Sequence, residues 1–431
     1  MPSRRHLLHA CAGALAALAG CSTGDRSSPA NGTDTPTRTQ TETPTETPTD
    51  TPTETDTRTR QGTDRIAWEQ SVDGTVSARP LVDGDHLLVA TAEGTVAALA
   101  RSDGEVAWRF DRDLPIQGRP VVDGDTVVTV SGNTGLYEHQ VVYAVDRATG
   151  EERWSFAPEE WWLSVLGTDG ERAFVATHDD HLQSEGETLY ALSLGDGTAE
   201  WSVEVGDVRG GDVLGRAVYV PSTNVVDAVA LDGTRRWAYE GGQYQYATLT
   251  AAGGTTSFVT ASDPLEPTVH GLATETGEKR WAFDDWRAHT TRTAGDRLFV
   301  GGAKVARLDP ADGSVQWEAD HPAALYDAPV ADGTLYAVGD AAAAIATDDG
   351  DVGWTTSLDA DVSSAAGLEA GRLLVHQSAT QDDRDRHLLA LDADDGGRAW
   401  TFAGRHPLTD PAFADGRAYL GERENVLALS V

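Results

Sequence analysis

From residue 64 onward, apolar residues fall in short alternating runs of β type, separated by polar turns that contain glycine. Residues 120–154 show one full unit. Pro120-Val121-Val122 meets a turn at Asp123-Gly124 and the run Thr126-Val127-Val128-Thr129-Val130. A loop leads to Val141-Val142-Tyr143-Ala144-Val145-Asp146, a second turn at Thr149-Gly150 and a last run holding Trp154. Short β-rich runs punctuated this way read as hairpins. Glycine suits such reversals because they often require positive φ. Each unit therefore predicts a four-stranded antiparallel meander, with its tryptophan on the outermost strand facing the neighbouring unit.

The unit repeats. Glycine followed four residues later by tryptophan recurs at Gly104/Trp108, Gly150/Trp154, Gly197/Trp201, Gly233/Trp237, Gly277/Trp281, Gly313/Trp317, Gly350/Trp354 and Gly396/Trp400. A lone four-stranded sheet leaves both faces bare, whereas radial stacking covers them and closing the circle removes exposed edges. The expected fold is all-β: a closed β-propeller spanning residues 64–431. At its start Trp68 lies on a strand with no preceding repeat, and residues 410–431 supply three strands without a tryptophan strand. Joined, these make one composite closing blade, so the count is nine. Trp68, Trp108, Trp154, Trp201, Trp237, Trp281, Trp317, Trp354 and Trp400 are the expected blade seals. A buried tryptophan removes about 150–250 Å² from water. At about 25 cal/mol/Å² each contributes at most roughly 4–6 kcal/mol.

Units of the form Val-Asp-Gly, then Val-Tyr-Ala-Val-Asp-x-x-Thr-Gly-x-x-x-Trp, resemble the pyrroloquinoline-quinone (PQQ) propeller repeat. Quinoprotein alcohol dehydrogenases and the BamB-like lipoproteins of outer-membrane assembly share that repeat. WD repeats would place Asp after Trp, where this chain has Ser155, Ser202, Ala238 and Thr401. Members of the family usually have eight blades, so a count of nine departs from the pattern; either the ring is enlarged or one short unit is displaced. In the dehydrogenases the resemblance implies PQQ at the propeller centre against a disulfide of adjacent cysteines, with Ca²⁺ and an Asp base. The propeller range here contains no cysteine, and no residue matches the Ca²⁺ or base positions. The expectation is therefore no resident cofactor and no catalytic or metal residue. A PQQ- and Ca²⁺-dependent oxidoreductase stands as the alternative, and a glycan-binding surface protein as a third reading.

Composition adds a setting. The 431-residue chain has formal net charge -36, and Lys279 and Lys304 are its only lysines. Such a surface argues against nucleic acid and anionic lipid as charge-held partners, and the lysine depletion suggests a salt-loving, haloarchaeal source. Residues 1–21 read as an export signal. Paired Arg4-Arg5 precede an apolar run from Leu7 to Ala19, too short to cross a bilayer. The run ends in Leu18-Ala19-Gly20-Cys21, similar to a prokaryotic lipobox, which implies lipidation of Cys21 and anchoring at the outer face of the cytoplasmic membrane. Residues 22–63 are Thr/Pro/acid repeats with nothing apolar to bury, expected to form a disordered stalk. Asn31-Gly32-Thr33 is an N-glycosylation sequon within it.

Length differences between units fall at two connections, between the second and third strands and between a tryptophan strand and the next unit. In a radial meander both emerge on one face, which is the expected working side. It carries aromatics outside the glycine–tryptophan figure: Trp161, Trp162, Tyr244, Tyr246 and Trp286, the candidate binding face. His178-Asp179-Asp180-His181 offers metal-type ligands but without a third partner, and reads as a solvated loop. His289, His321 and His406 are scattered with no paired nucleophile. The sequence thus predicts a monomeric, lipid-anchored propeller that acts as a non-catalytic binding or assembly scaffold for a protein or surface ligand.

Overall fold

The structure is a computed structural model that describes residues 60–133, 140–158, 162–178, 187–206, 208, 210–222, 225–241, 249–260, 267–358, 362–378 and 386–431. Cys21, Asn31, Trp161, Tyr244, Tyr246 and the segment 179–181 lie outside the described residues.

Among the described residues the strands form nine sheets of four, all antiparallel, and together they make a nine-bladed propeller. The enlarged ring, rather than a displaced unit, accounts for the count. The second blade illustrates the pattern with Ile116–Asp123, Thr126–Ser131, Val141–Asp146 and Glu152–Phe156 in spatial as in chain order. Central strands are buried almost throughout, as Thr126–Ser131 is, because both faces of each sheet meet a neighbouring blade. The fourth strands alternate instead, since they flank solvent at the ring's outer edge.

Each fourth strand carries one repeat tryptophan. Its partner across the ladder is a small residue in eight of nine blades, as in Ala98 with Trp108, Ala144 with Trp154 and Gly271 with Trp281. The exception is Arg307, opposite Trp317. A register shift beside each pair, such as Ala144/Val145, marks a β-bulge. Bulges re-aim side chains, and here they accompany the turn of each indole toward the next blade.

The core is distributed over the seams. Nine hydrophobic clusters each draw on two consecutive blades. Val128, Val142 and Trp154 meet Leu163, Val175 and Leu192, for example. The ring closes through a composite blade in which Ile66–Ser71 pairs with Asn425–Ser430, followed by Arg417–Glu422 and Ala412–Ala414. Arg60 and Gln61 already bond to this region. Gln61 exchanges backbone hydrogen bonds with Ala403 at 3.0 and 3.2 Å. Arg60 grips both carboxylate oxygens of Glu69 at 2.7 Å and donates its Nε to Glu422 at 2.7 Å.

The eighth-to-ninth seam differs from the rest. Elsewhere each indole Nε1 donates to a backbone carbonyl in the next blade's second turn, as Trp154 does to Leu194 at 2.9 Å. The third and fourth strands of the closing blade are not consecutive in the chain, so no such turn joins them. Trp400 Nε1 is buried without a partner among the described residues, and the Arg65 guanidinium stands 5.4 Å from its ring centroid instead.

Candidate functional site

Strand direction alternates within every blade, so short turns gather on one face of the ring and longer connections on the other. The turn face is regular. Asp332-Gly333 and Asp415-Gly416 each place both residues at positive φ, the signature of tight primed hairpin turns. Ion pairs stitch neighbouring blades there: Arg147 holds both carboxylate oxygens of Asp83, and Arg101 meets Asp415 at 2.6 Å.

The loop face carries the irregular segments and two of the exposed large apolar residues, Leu114 and Tyr326. Two of the five sequence-picked aromatics fall among the described residues, and the structure treats them differently. Trp286 sits in the 3-10 turn Asp285–Arg287 with a left-handed φ of 36°. Its Nε1 donates to Glu318 Oε1 at 3.0 Å, and its ring meets Phe283 edge-on at 5.4 Å. Glu318 also receives Lys304 Nζ at 3.0 Å, and hydrogen bonds from Lys304 and Trp286 hold its carboxyl below the usual range. Trp286 is thus fastened to its own blades. Trp162, the first residue of Trp162–Thr168, is half-buried and lines a cavity.

Histidines do not converge. His178 meets the Val208 carbonyl through Nδ1 at 3.1 Å and His289 that of Arg287 at 3.1 Å. Burial lowers the pKa of His321. Among the described residues no group of three or more His, Cys, Asp or Glu side chains could hold a metal ion.

The cavity encloses about 380 Å³ between the inner strands of the second and third blades. Gln117, Gly118, Arg119, Thr129, Gln140, Trp162, Ser164 and His178 contribute polar or aromatic lining, and Val128, Val130, Leu163 and Val165 the apolar wall. A bulge in Ile116–Asp123 opens it. Gln117 pairs with Val130 and Val121 with Val128, so Gly118-Arg119-Pro120 loops out opposite Thr129. Gly118 has φ 68°, a conformation glycine reaches without strain. Thr129, only 2% exposed, has its Oγ1 without a hydrogen-bond partner among the described residues.

Arg119 stays water-accessible, yet burial and then the nearby Arg79 lower its pKa, while Asp327 acts in the opposite sense. Arg79 and Asp327 face each other at 4.0 Å although they come from the first and seventh blades, so this pair reaches across the ring's interior. Sequence reading missed these residues. A signal existed: "ARPLVDG" (78–84) and "GRPVVDG" (118–124) place arginine at the same repeat position in successive units.

The model of the outer membrane protein assembly factor BamB family matches residues 57–138, 114–240, 185–323 and 301–431. Among solved structures, BamB from Moraxella catarrhalis is similar with a TM-score of 0.50 and 16% identity, covering 84% of this chain and 98% of that one. The computationally designed Ika8 protein gives 0.54 and 12% identity, over 85% and 100%. Quinohemoprotein alcohol dehydrogenase from Comamonas testosteroni gives 0.52 and 12%, over 85% and 76%. At these identities the likeness is one of fold. A comparison with curated protein sequences finds no match.

Proposed function

The chain belongs to the outer membrane protein assembly factor BamB family, and from that premise we propose that it is a non-catalytic scaffold, held at the cell surface, that binds a protein partner through its loop face. Export by the paired-arginine signal, lipidation of Cys21 and the Thr/Pro stalk would hold the propeller off the membrane. The observation that carries this reading is the asymmetry of the ring. One face is reduced to tight turns locked by inter-blade ion pairs, while the other holds the long connections and the exposed Leu114 and Tyr326. Binding residues concentrate on loops that a rigid frame positions.

The test is photo-crosslinking in intact cells, with a photoreactive residue at Trp162 or Tyr326 on the loop face and at Ala148 or Asp312 on the turn face. Discrete adducts from the first pair alone are expected. Equal adducts from the second pair would sink the assignment.

For the quinoprotein alternative the resemblance implies a disulfide of adjacent cysteines and a Ca²⁺ site. The chain's cysteines are Cys11 and Cys21, so no adjacent pair exists in the ring, and the described residues bring no metal-type cluster together. An absorbance change on adding PQQ and Ca²⁺, with dye-linked alcohol oxidation, would reverse the ranking. The glycan reading rests on the rim aromatics Trp161, Trp162, Tyr244 and Tyr246, since Trp286 is committed to Glu318.

A further inference from the structure

We propose that the cavity between the second and third blades binds a monocarboxylate carried on an apolar group, either a free organic acid or the C-terminus of a peptide. Its volume, about 380 Å³, lies within the range of small-ligand sites. Three independent features select the ligand's chemistry.

Charge comes first. Many of the described arginines meet a carboxylate, as Arg101, Arg147, Arg153, Arg297 and Arg372 do. Among the described residues Arg119 forms no ion pair or hydrogen bond, and Asp327, whose charge it feels, pairs with Arg79. The Arg119 guanidinium is thus uncommitted among the described residues, and one carboxylate would balance its charge. The guanidinium fork also matches the two oxygens of a carboxylate.

Hydrogen-bond supply comes second. Gln117 Nε2 is spent on Gly132 O at 2.6 Å and Gln140 Nε2 on Asn133 O at 3.2 Å, while Gln140 Oε1 accepts from Leu163 N at 2.8 Å. These amides fix the wall. With these amides committed, the Arg119 fork is the charged donor that the wall still offers a ligand. The third feature is the remaining wall of Trp162, Val128, Leu163 and Val165, which offers an apolar group a surface to cover.

This site is independent of the scaffold reading, and calorimetric titration of the full chain tests it alone. The probes are benzoate, the neutral isostere benzamide, and a short peptide ending in phenylalanine as free acid or amide. At least one acid is expected to bind about tenfold or more tightly than its amide, as charge-assisted fork bonds imply. Preference for benzoate marks a free organic acid as the source, and preference for the peptide acid marks a chain terminus. Arg119→Gln should lose about tenfold in affinity with an unchanged melting temperature, because Arg119 holds no structural partner, and Arg119→Lys should recover part of it. Trp162→Ala should weaken binding several-fold through lost apolar contact. Equal binding of acids and amides, undiminished binding by Arg119→Gln, or no binding of either acid at millimolar concentration would each overturn the proposal.

Discussion

The indole of Trp108 reaches across a seam to Gly150 of the following blade, so closely that a Cβ on that glycine would stand 2.5 Å from the ring. Its Nε1 donates to the Arg147 carbonyl of the same turn at 2.9 Å. The contact recurs between Trp154 and Gly197, Trp237 and Gly277, and Trp317 and Gly350. Each such glycine answers two demands at once: a left-handed backbone, with φ of 73° at Gly150, and the absence of a side chain under the indole.

Gly150→Ala should therefore cost about 2–4 kcal/mol, combining backbone strain at positive φ with overpacking against Trp108. Gly124 has φ 56°, but a Cβ there would meet nothing within 4 Å, so Gly124→Ala should cost only about 1 kcal/mol. Urea midpoints of the two variants separate the terms. Equal losses would show that the indole contact contributes nothing.

Trp154 is 7% exposed and central to its seam, and Trp154→Ala should cost about 3–5 kcal/mol. Trp162 is half-buried at a cavity wall, where truncation should cost about 1 kcal/mol or less. Matching midpoints in chemical denaturation would contradict the division between seal and wall.

Arg60→Ala leaves Glu422, whose side chain is 1% exposed, with an uncompensated buried charge, for which about 3 kcal/mol is expected. Arg153, between the exposed Asp125 and the half-buried Asp146, serves as the comparison, and Arg153→Ala should cost less than about 1 kcal/mol. Thermal melts at two salt concentrations check both. The Arg153 effect should fade with salt and the Arg60 effect should persist.

His270 is 6% exposed and stacks against Phe258 at 5.4 Å. Burial, with Lys279 adding to it, pushes its pKa down from 6.5 to about 4. The unfolded chain takes up this proton near pH 6.5 and the folded ring only near pH 4, so the folded state binds fewer protons between the two. Stability should be complete above pH 6.5 and fall on acidification toward pH 4, by at most about 3 kcal/mol from this residue. His321 acts in the same direction. Melting temperature followed from pH 7 to pH 4 checks the sign. A gain in stability on acidification would exclude it.

Much of this architecture is legible in the repeat. The glycine–tryptophan figure gives eight units, and the unmatched Trp68 strand, which finds its blade with Asn425–Ser430, gives the ninth. The figure does not reveal that every repeat tryptophan but Trp400 seats on the glycine of the following unit rather than on its own. Period alone says which residues are equivalent; contact depends on how sheets stack. Trp286 illustrates a second limit. As a surplus aromatic on a loop it reads as a rim residue, yet the fold brings Glu318 and Phe283 to it. Arg60 lies in Thr- and acid-rich sequence that reads as stalk, and only the closed ring supplies its partner Glu422. The cavity depends on a local bulge at Gly118-Arg119-Pro120, and a bulge changes spacing without changing composition.

The unlike seam at Trp400 gives the ring a preferred place to part. Eight joints share one latch, an indole bonded to a turn carbonyl, while the ninth relies on Arg65 above the ring and the Gln61–Ala403 pairing. Partial opening should therefore begin as a split washer, with the eighth and ninth blades separating before any other pair loosens. Amide hydrogen exchange would register this as earlier labelling at Gln61 and Ala403 than at the corresponding ends of the other outer strands. A molecule tugged by its N-terminal side would feel the load first at this splice.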